Sequence, residues 1–286
     1  MIILPGILSM LCWGIAIYLA ATVSRKIGNV LTLFWMQLFG LSVGSIYFVW
    51  NFRSFHLSQA PSFFPILFLI AIFHIIAYLS FYRGMEKGLV SIVSPLGSTW
   101  SLVTALLGVF IYKEVLSTNQ VIAIASILIG ILFISLDIKS LLQSQKVALL
   151  RGVREGLLSM MGWGLAWFLV VVPTRNLDWF LPAFIFRIFL IIMLAGYIKY
   201  QRKPFLPIKQ PFPLLPLLVI GAFDMLAFMS LSIGLSRTNS SILAPIASAN
   251  TIVVIGLAVI FLKEKLKMNQ VIGIAGILLG IVLISL

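Results

Sequence analysis

The sequence has few of the residues on which soluble enzymes depend. Only 9% of its 286 residues are charged and 62% are hydrophobic, which leaves too little polar surface to cover a soluble globule. One cysteine, Cys12, lies inside an apolar run, so neither a disulfide framework nor a cysteine-rich metal site is expected. Two histidines and seven acidic residues are too few for a buried metal site within these runs. No Gly-rich phosphate loop followed by Lys-Ser or Lys-Thr is present, so neither ATP-driven pumping nor a bound cofactor is expected.

Basic residues outnumber acidic ones by 20 to 7, which gives a net charge of +13. They lie in short gaps between apolar runs and form no patch interleaved with aromatic residues, so binding of nucleic acid is not expected. The gaps after the first, third, fifth, seventh and ninth runs hold about fifteen Lys and Arg residues, whereas the alternate gaps hold about four. By the positive-inside rule, the richer side is cytoplasmic and both termini face outward.

The chain contains ten apolar runs, and a helix of about 20 apolar residues is long enough to cross a bilayer. Backbone groups left unpaired in lipid are costly, so each run is predicted to be a spanning helix. The predicted spans of the first half are 2–23, 30–50, 63–82, 89–112 and 119–136. Those of the second half are 153–173, 179–200, 213–236, 241–262 and 269–286.

The second half repeats the first at an offset of about 150 residues. KEVLSTNQVIAIASILIGILFISL at 113–136 and KEKLKMNQVIGIAGILLGIVLISL at 263–286 agree at about two positions in three, which indicates an internal duplication. Because each copy has an odd number of spans, the second copy enters the membrane in the opposite sense, as in many secondary transporters. We therefore predict an all-α integral membrane protein with ten transmembrane helices as two inverted five-helix repeats. The repeats are 1–136 and 153–286, and 137–152 is the linker between them.

The two copies share four further features: a Trp-Gly pair in the first helix, a proline early in the fourth, a Lys-Glu pair at the end of the fourth, and a Gly-rich fifth helix. The residues are Trp13-Gly14 and Trp163-Gly164, Pro95 and Pro245, and Lys113-Glu114 and Lys263-Glu264. Together these features resemble the drug/metabolite transporter (DMT) superfamily, EamA type. The resemblance covers essentially the whole chain. It implies a ten-helix transporter of small organic solutes, with a cavity lined mainly by the first four helices of each copy. It also implies termini in the cytoplasm, opposite to the charge count.

Asp224 and His74 are the first candidates for a functional site. A charged group near the bilayer centre is costly, and Asp224 is the one acidic residue predicted near the midplane. The repeat offset places His74 at the same depth in the other copy. Histidine titrates near neutral pH and a desolvated carboxyl group can also hold a proton, so we predict a proton-coupling pair. The structural alternative is that His74 bonds a neighbouring backbone carbonyl and Asp224 pairs with Arg187.

Arg187 lies about nine residues into its predicted helix, where its charge requires protein or water around it. It is predicted to bond either the carboxylate of Asp224 or that of a substrate. The resemblance also implies an arginine at this point of the second helix of a repeat. The first copy has Gln37 instead, which makes the predicted site cationic on one side only.

Aromatic and amide side chains complete the predicted site. Five aromatic residues lie within spans, namely Trp13, Trp163, Trp167, Tyr78 and Trp100, and ring faces bind apolar or cationic groups. The predicted site includes Trp163, Trp100 and Tyr78. Asn250 takes the place of Trp100 in the second copy. The alternative for each aromatic residue is ordinary helix packing or a place in the interfacial belt.

The predicted function is secondary transport of a small polar metabolite such as an amino acid, linked to protons or another coupling ion. A transporter of organic cations, a membrane sensor that binds without moving its ligand, and a lipid-handling protein are the alternatives. No cluster of nucleophiles, acids or metal ligands near one interface favours an enzyme, so no catalytic residue is predicted. The expected location is the inner membrane of a prokaryote. Small residues four apart in 119–136 and 269–286 favour a scaffold or a homodimer contact.

Overall fold

The computed structural model describes residues 4–55, 57–112, 117–135, 150–207, 210–237, 247 and 249–283. Over these residues every regular element is a helix and no strand is present. The first-half helices are α1 (Leu4–Ile27), α2 (Asn29–Trp50), α3 (Phe64–Lys87), α4 (Val90–Ser98), α5 (Trp100–Tyr112) and α6 (Thr118–Ser135). Two 3-10 turns, Phe52–Ser54 and Leu57–Phe63, precede α3. The second-half helices are α7 (Val153–Asn176), α8 (Leu181–Tyr200), α9 (Leu214–Arg237), α10 (Asn250–Phe261) and α11 (Met268–Leu283).

Six of these helices, α1, α2, α3, α7, α8 and α9, are long and apolar enough to cross a membrane. The apolar parts of α6, α10 and α11 are shorter. The prediction of an all-helical membrane protein is confirmed, and a two-repeat layout fits the helix order. The count of ten spans remains a prediction, because 238–246, 248 and part of the fifth predicted span lie outside the described residues.

The predicted fourth span is two helices rather than one. α4 ends at Ser98, Thr99 forms a turn, and α5 begins at Trp100. Pro95 lies inside α4, where it has no N–H to give to the preceding turn of the helix. The main-chain N–H of Thr99 bonds Leu96 O at 3.3 Å, three residues back, as helices often do where they end. Pro245, the matched proline, lies outside the described residues.

The two halves pack through equivalent glycines. A Cβ added to Gly14 would lie 2.5 Å from Cβ of Val253, and one added to Gly164 would lie 2.3 Å from Cβ of Val103. Both members of each contact are 150 positions from their counterparts, so α1 crosses α10 as α7 crosses α5. The glycines of the two Trp-Gly pairs therefore permit close helix crossings that no larger residue would allow.

α6 and α11 pack on each other within the chain. The hydroxyl of Ser126 donates to Gly276 O at 2.9 Å, and a Cβ on Gly130 would lie 2.7 Å from Gly273 O. The small residues in these helices thus serve an internal contact, in agreement with the scaffold alternative. A homodimer through the outer faces of the two helices remains a proposal.

One end of the bundle is the more basic. At this end α1 and α3 end and α4 and α7 begin. The turn between α10 and α11 lies at the same end, as two contacts of Arg25 show: it bonds Gly88 O and lies beside Glu264. We call this end the basic face. It carries, among the described residues, Arg25, Lys26, Lys87, Arg151, Arg154, Lys263, Lys265 and Lys267.

Candidate functional site

A cavity lies at the middle of the bundle, between the two halves. Its walls come from α1, α2 and α3 and the α4–α5 break of the first half, and from α7, α9 and α10 of the second. The space open to the centres of water-sized spheres is about 60 Å³, so in this conformation the cavity holds a few waters and must widen to admit a solute. Its lining is Trp13, Ala16, Ile17, Met36, His74, Tyr78, Phe81, Tyr82, Ser98, Trp100, Trp163, Trp167, Asp224, Phe228 and Asn250.

Asp224 links four helices around this cavity. Its Oδ1 accepts hydrogen bonds from the indole N–H of Trp13 and the hydroxyl of Tyr78, each at 3.2 Å. Its Oδ2 lies 2.6 Å from Nη2 of Arg187. The four side chains come from α1, α3, α8 and α9, so one carboxylate couples both halves. Only 3% of Asp224 is exposed, which makes the charge-assisted bonds necessary for its burial.

Arg187 lies behind the cavity wall. It is 1% exposed and absent from the lining, and its second amino group donates to Oε1 of Gln37 at 2.7 Å. The lack of a side chain at Gly40 leaves room for the guanidinium, because a Cβ on Gly40 would lie 3.2 Å from Nη1 of Arg187 and 3.0 Å from Gly221 O. The structure therefore joins Gln37 and Arg187, the matched pair of the two copies, but it places neither on the cavity surface.

Two buried donors in this cluster have no partner among the described residues. They are Nε of Arg187 and Nε2 of Gln37. A buried N–H without an acceptor is costly, so the cluster retains hydrogen-bonding capacity beyond that used by Asp224.

His74 lines the cavity but does not form a pair with Asp224. Its Nδ1 lies 3.1 Å from Ile70 O, one helical turn earlier in α3. Its ring packs on Phe186, with 4.5 Å between centroids, and it is 4% exposed. Both contacts that the structural alternative expected, His74 with a backbone carbonyl and Asp224 with Arg187, are present.

Aromatic rings form most of the remaining wall. Trp167 is stacked between Trp100 and Phe228, with centroid distances of 5.3 and 5.2 Å. Trp163 meets Tyr78 edge-on at 5.2 Å. Rings in mutual contact hold one another in place, and a wall rich in rings suits apolar and cationic groups.

Six of the eight predicted site residues line the cavity, namely Trp163, Trp100, Asn250, Tyr78, Asp224 and His74. Gln37 and Arg187 lie behind the wall. Three further rings line the cavity: Trp13 and Trp167, two span aromatics outside the predicted set, and Phe228, which was not a candidate. Phe228 is four residues after Asp224 and therefore on the same face of α9, and Trp13 is the repeat counterpart of Trp163, so both had a signal in the sequence.

No group of three His, Cys, Asp or Glu side chains is placed to hold a metal ion within the part of the chain that the structure describes. Paired helical repeats with a buried, ring-lined cavity between them define the class of integral membrane solute carriers. A model of the EamA-like transporter family matches residues 1–136 and again 150–286, so the chain belongs to that family. It is a multi-pass membrane transporter, and the resemblance to the DMT superfamily is confirmed.

Solved structures agree on the fold. One, described only as "Crystal structure of protein", has a TM-score of 0.61 and 15% sequence identity, covering 99% of this chain and 95% of its own. At that identity the likeness concerns the fold alone. No curated protein matched the sequence.

Proposed function

We propose that this protein is a secondary transporter that moves small amphipathic organic solutes through the central cavity by alternating access. The two five-helix units 1–136 and 153–286, joined by 137–152, are the moving bodies in this proposal. The observation that carries it is the position of the cavity, whose walls come from both units, so that a relative rotation would open it first to one side and then to the other. The proposed location is the inner membrane of a prokaryote.

Among possible solutes, an organic amine suits this lining best. The wall supplies ring faces and the carboxylate of Asp224, and no Lys or Arg side chain belongs to it among the described residues. Arg187 already bonds Asp224 and Gln37. An ammonium group in the cavity would compete with Arg187 for the carboxylate of Asp224 and would lie among the surrounding aromatic rings. This reverses the order of the two substrate classes expected from sequence.

An amino acid is the second candidate, on a separate observation. The unpaired Nε of Arg187 is a donor that a substrate carboxylate could accept once Asp224 moves away. In that case the ion pair would open during transport. Protonation of Asp224 would have the same effect, which is how we propose that a proton is coupled. His74, which does not pair with Asp224, is not needed for this step.

Counterflow in proteoliposomes tests these proposals with three solutes that share a phenyl ring. Radiolabelled phenethylamine is a cation, phenylalanine a zwitterion and phenylacetate an anion. We expect counterflow of phenethylamine, less of phenylalanine and none of phenylacetate. Acceleration by an imposed pH gradient supports proton coupling. Preferred movement of phenylacetate would contradict the amine proposal, because the described wall has no cation to hold it.

A further inference from the structure

A line of short polar side chains runs from the cavity to the basic face, between α4 of the first half and α10 with its following turn. Ser98 and Asn250 line the cavity and lie 3.4 Å apart, from Oγ to Oδ1. Ser94 and Thr251 come next, with their hydroxyl oxygens 3.0 Å apart. Ser91 and Glu264 follow at the end of α4, with 2.5 Å from Oγ to Oε2. We call these six residues the polar interface.

The serines share one side of α4. Positions 91, 94 and 98 are three and four residues apart, the spacing that places side chains on one face of a helix. All three are buried against the second half. In the sequence of the other copy, the matched positions keep Ser241, Ser248, Ser101 and Glu114. Ala244 and Trp100 replace Ser94 and Asn250, so the polar line is complete in one copy only.

Glu264 closes the line at the basic face. Its two carboxylate oxygens accept the main-chain N–H groups of Val90 and Ser91, each at 2.9 Å. These N–H groups have no partner inside their own helix, and the N-terminus of a helix attracts negative charge. Nη2 of Arg25 lies 3.8 Å from the same carboxylate. Glu264 is only 9% exposed, so its bonds to the main chain of Val90 and Ser91 lie in the interior.

α4 is a short helix that the turn at Thr99 separates from α5. Its nine residues are all buried, so it can leave α10 only if water compensates the polar groups that become exposed. Its main neighbours besides α3 are α7, α10 and α11 of the second half. Hydroxyl and amide groups that separate from one another can bond water instead, whereas separation of apolar helix faces has no such compensation. The hydrogen bonds of the polar interface can therefore be replaced by bonds to water when the interface opens.

We propose that the polar interface is the route between the cavity and the basic face, and that Glu264 holds it closed by capping α4. This rests on the proposed transport function, but its closed state can be measured without a substrate. When the route opens, α4 leaves α10, the carboxylate of Glu264 leaves the N-terminus of α4, and the solute passes over the hydroxyls of Ser94 and Thr251.

A cysteine placed in the interface reports its opening. In a Cys12→Ala background, Ser94→Cys should react slowly with a membrane-impermeant maleimide added at the basic face, since Ser94 is fully buried. Adding Glu264→Gln removes the charge and one acceptor, so we expect labelling to become about tenfold faster. The matched control is Glu86→Gln on the same face. Glu86 accepts from Ser24 within the first half, so its loss should leave the rate unchanged.

A disulfide across the interface gives the second measurement. Ser94→Cys with Thr251→Cys should cross-link on oxidation, given the 3.0 Å between the native oxygens. Cross-linking should stop phenethylamine counterflow, and reduction should restore it. The control pair, Ser126→Cys with Gly276→Cys, joins α6 to α11, where Ser126 already bonds Gly276, and should leave counterflow intact.

The outcomes separate the proposed route and its closure by Glu264 from the proposed transport function. Equal labelling of Ser94→Cys with and without Glu264→Gln, or full counterflow in the cross-linked protein, would overturn the assigned route. Equal inhibition by both disulfides would also overturn it, since the effect would then belong to any tie between the halves. If neither phenethylamine nor phenylalanine moves in the parent protein, the proposed transport of these solutes fails, and the labelling rates alone decide whether Glu264 closes the interface.

Discussion

The guanidinium of Arg187 lies 2.6 Å from the carboxylate of Asp224, and both residues are at most 3% exposed. Arg187 is at the same time bonded to Gln37, the residue that occupies its own position in the other copy. Two equivalent positions of the repeats therefore meet at the bundle centre. One carries a cation and the other a neutral amide, whose oxygen accepts from the cation and leaves the carboxylate of Asp224 to Arg187.

The first prediction concerns the stability of this pair. Either Arg187→Met or Asp224→Leu leaves the opposite charge buried without its partner, which costs about 3 to 5 kcal/mol. The double variant leaves no charge behind, so its melting temperature should be closer to that of the native protein than the melting temperature of either single variant. Melting temperatures in detergent would measure this. A double variant with a melting temperature reduced by the sum of the two single effects would contradict a direct ion pair.

The second prediction concerns the role of Asp224 in transport. Asp224→Asn keeps the shape and an acceptor for Trp13 and Tyr78 but removes the charge, so phenethylamine counterflow should fall about tenfold. Its response to a pH gradient should disappear as well. Asp178→Asn is the control, because Asp178 accepts the main-chain N–H groups of Phe180 and Leu181 at the start of α8 and lies outside the cavity lining. Full proton-coupled transport by Asp224→Asn would remove the assigned role.

The sequence was sufficient for those features that depend on chain periodicity. Apolar runs predicted the helices, and the start of α2 at Asn29 and the end of α8 at Tyr200 lie within one residue of their predicted positions. The repeat offset singled out the matched pairs that differ, and most of them are in the cavity wall. This success has a physical reason: charged and amide side chains within spans are costly to expose to lipid, so they lie in the protein interior that the two copies share.

Features that depend on contacts between the halves could not be predicted in this way. Lys263-Glu264 follows the end of a predicted span, where charged residues commonly anchor a helix at the membrane surface, yet Glu264 is buried and caps α4 of the other half. The orientation of Arg187 away from the cavity is likewise set by Asp224 and Gln37, which are distant in sequence. Nothing in the local pattern of either residue indicates which partner the fold will supply.

The third prediction concerns the Trp-Gly pairs. Gly14→Ala and Gly164→Ala each place a methyl group within 2.5 Å of a valine side chain in the facing helix, so each should lower stability by about 1 to 3 kcal/mol. Gly196→Ala is the control, because a Cβ at Gly196 meets no atom within 4 Å, and alanine there favours the helix. Melting temperatures would distinguish the three. A loss at Gly196 equal to that at Gly164 would show that helix crossing is not the cause.

The fourth prediction concerns the aromatic wall. Trp167 is stacked between Trp100 and Phe228, so Trp167→Ala removes one ring face from the cavity and releases two others from their fixed positions. We expect the KM for phenethylamine to rise about five- to tenfold. One cation–π contact is lost, and Trp100 and Phe228 are no longer held in place by Trp167. Trp50→Ala is the control, since Trp50 is 88% exposed at the end of α2 and touches no part of the cavity lining. An unchanged KM in Trp167→Ala, or an equal rise in Trp50→Ala, would show that the stacked rings do not contact the solute.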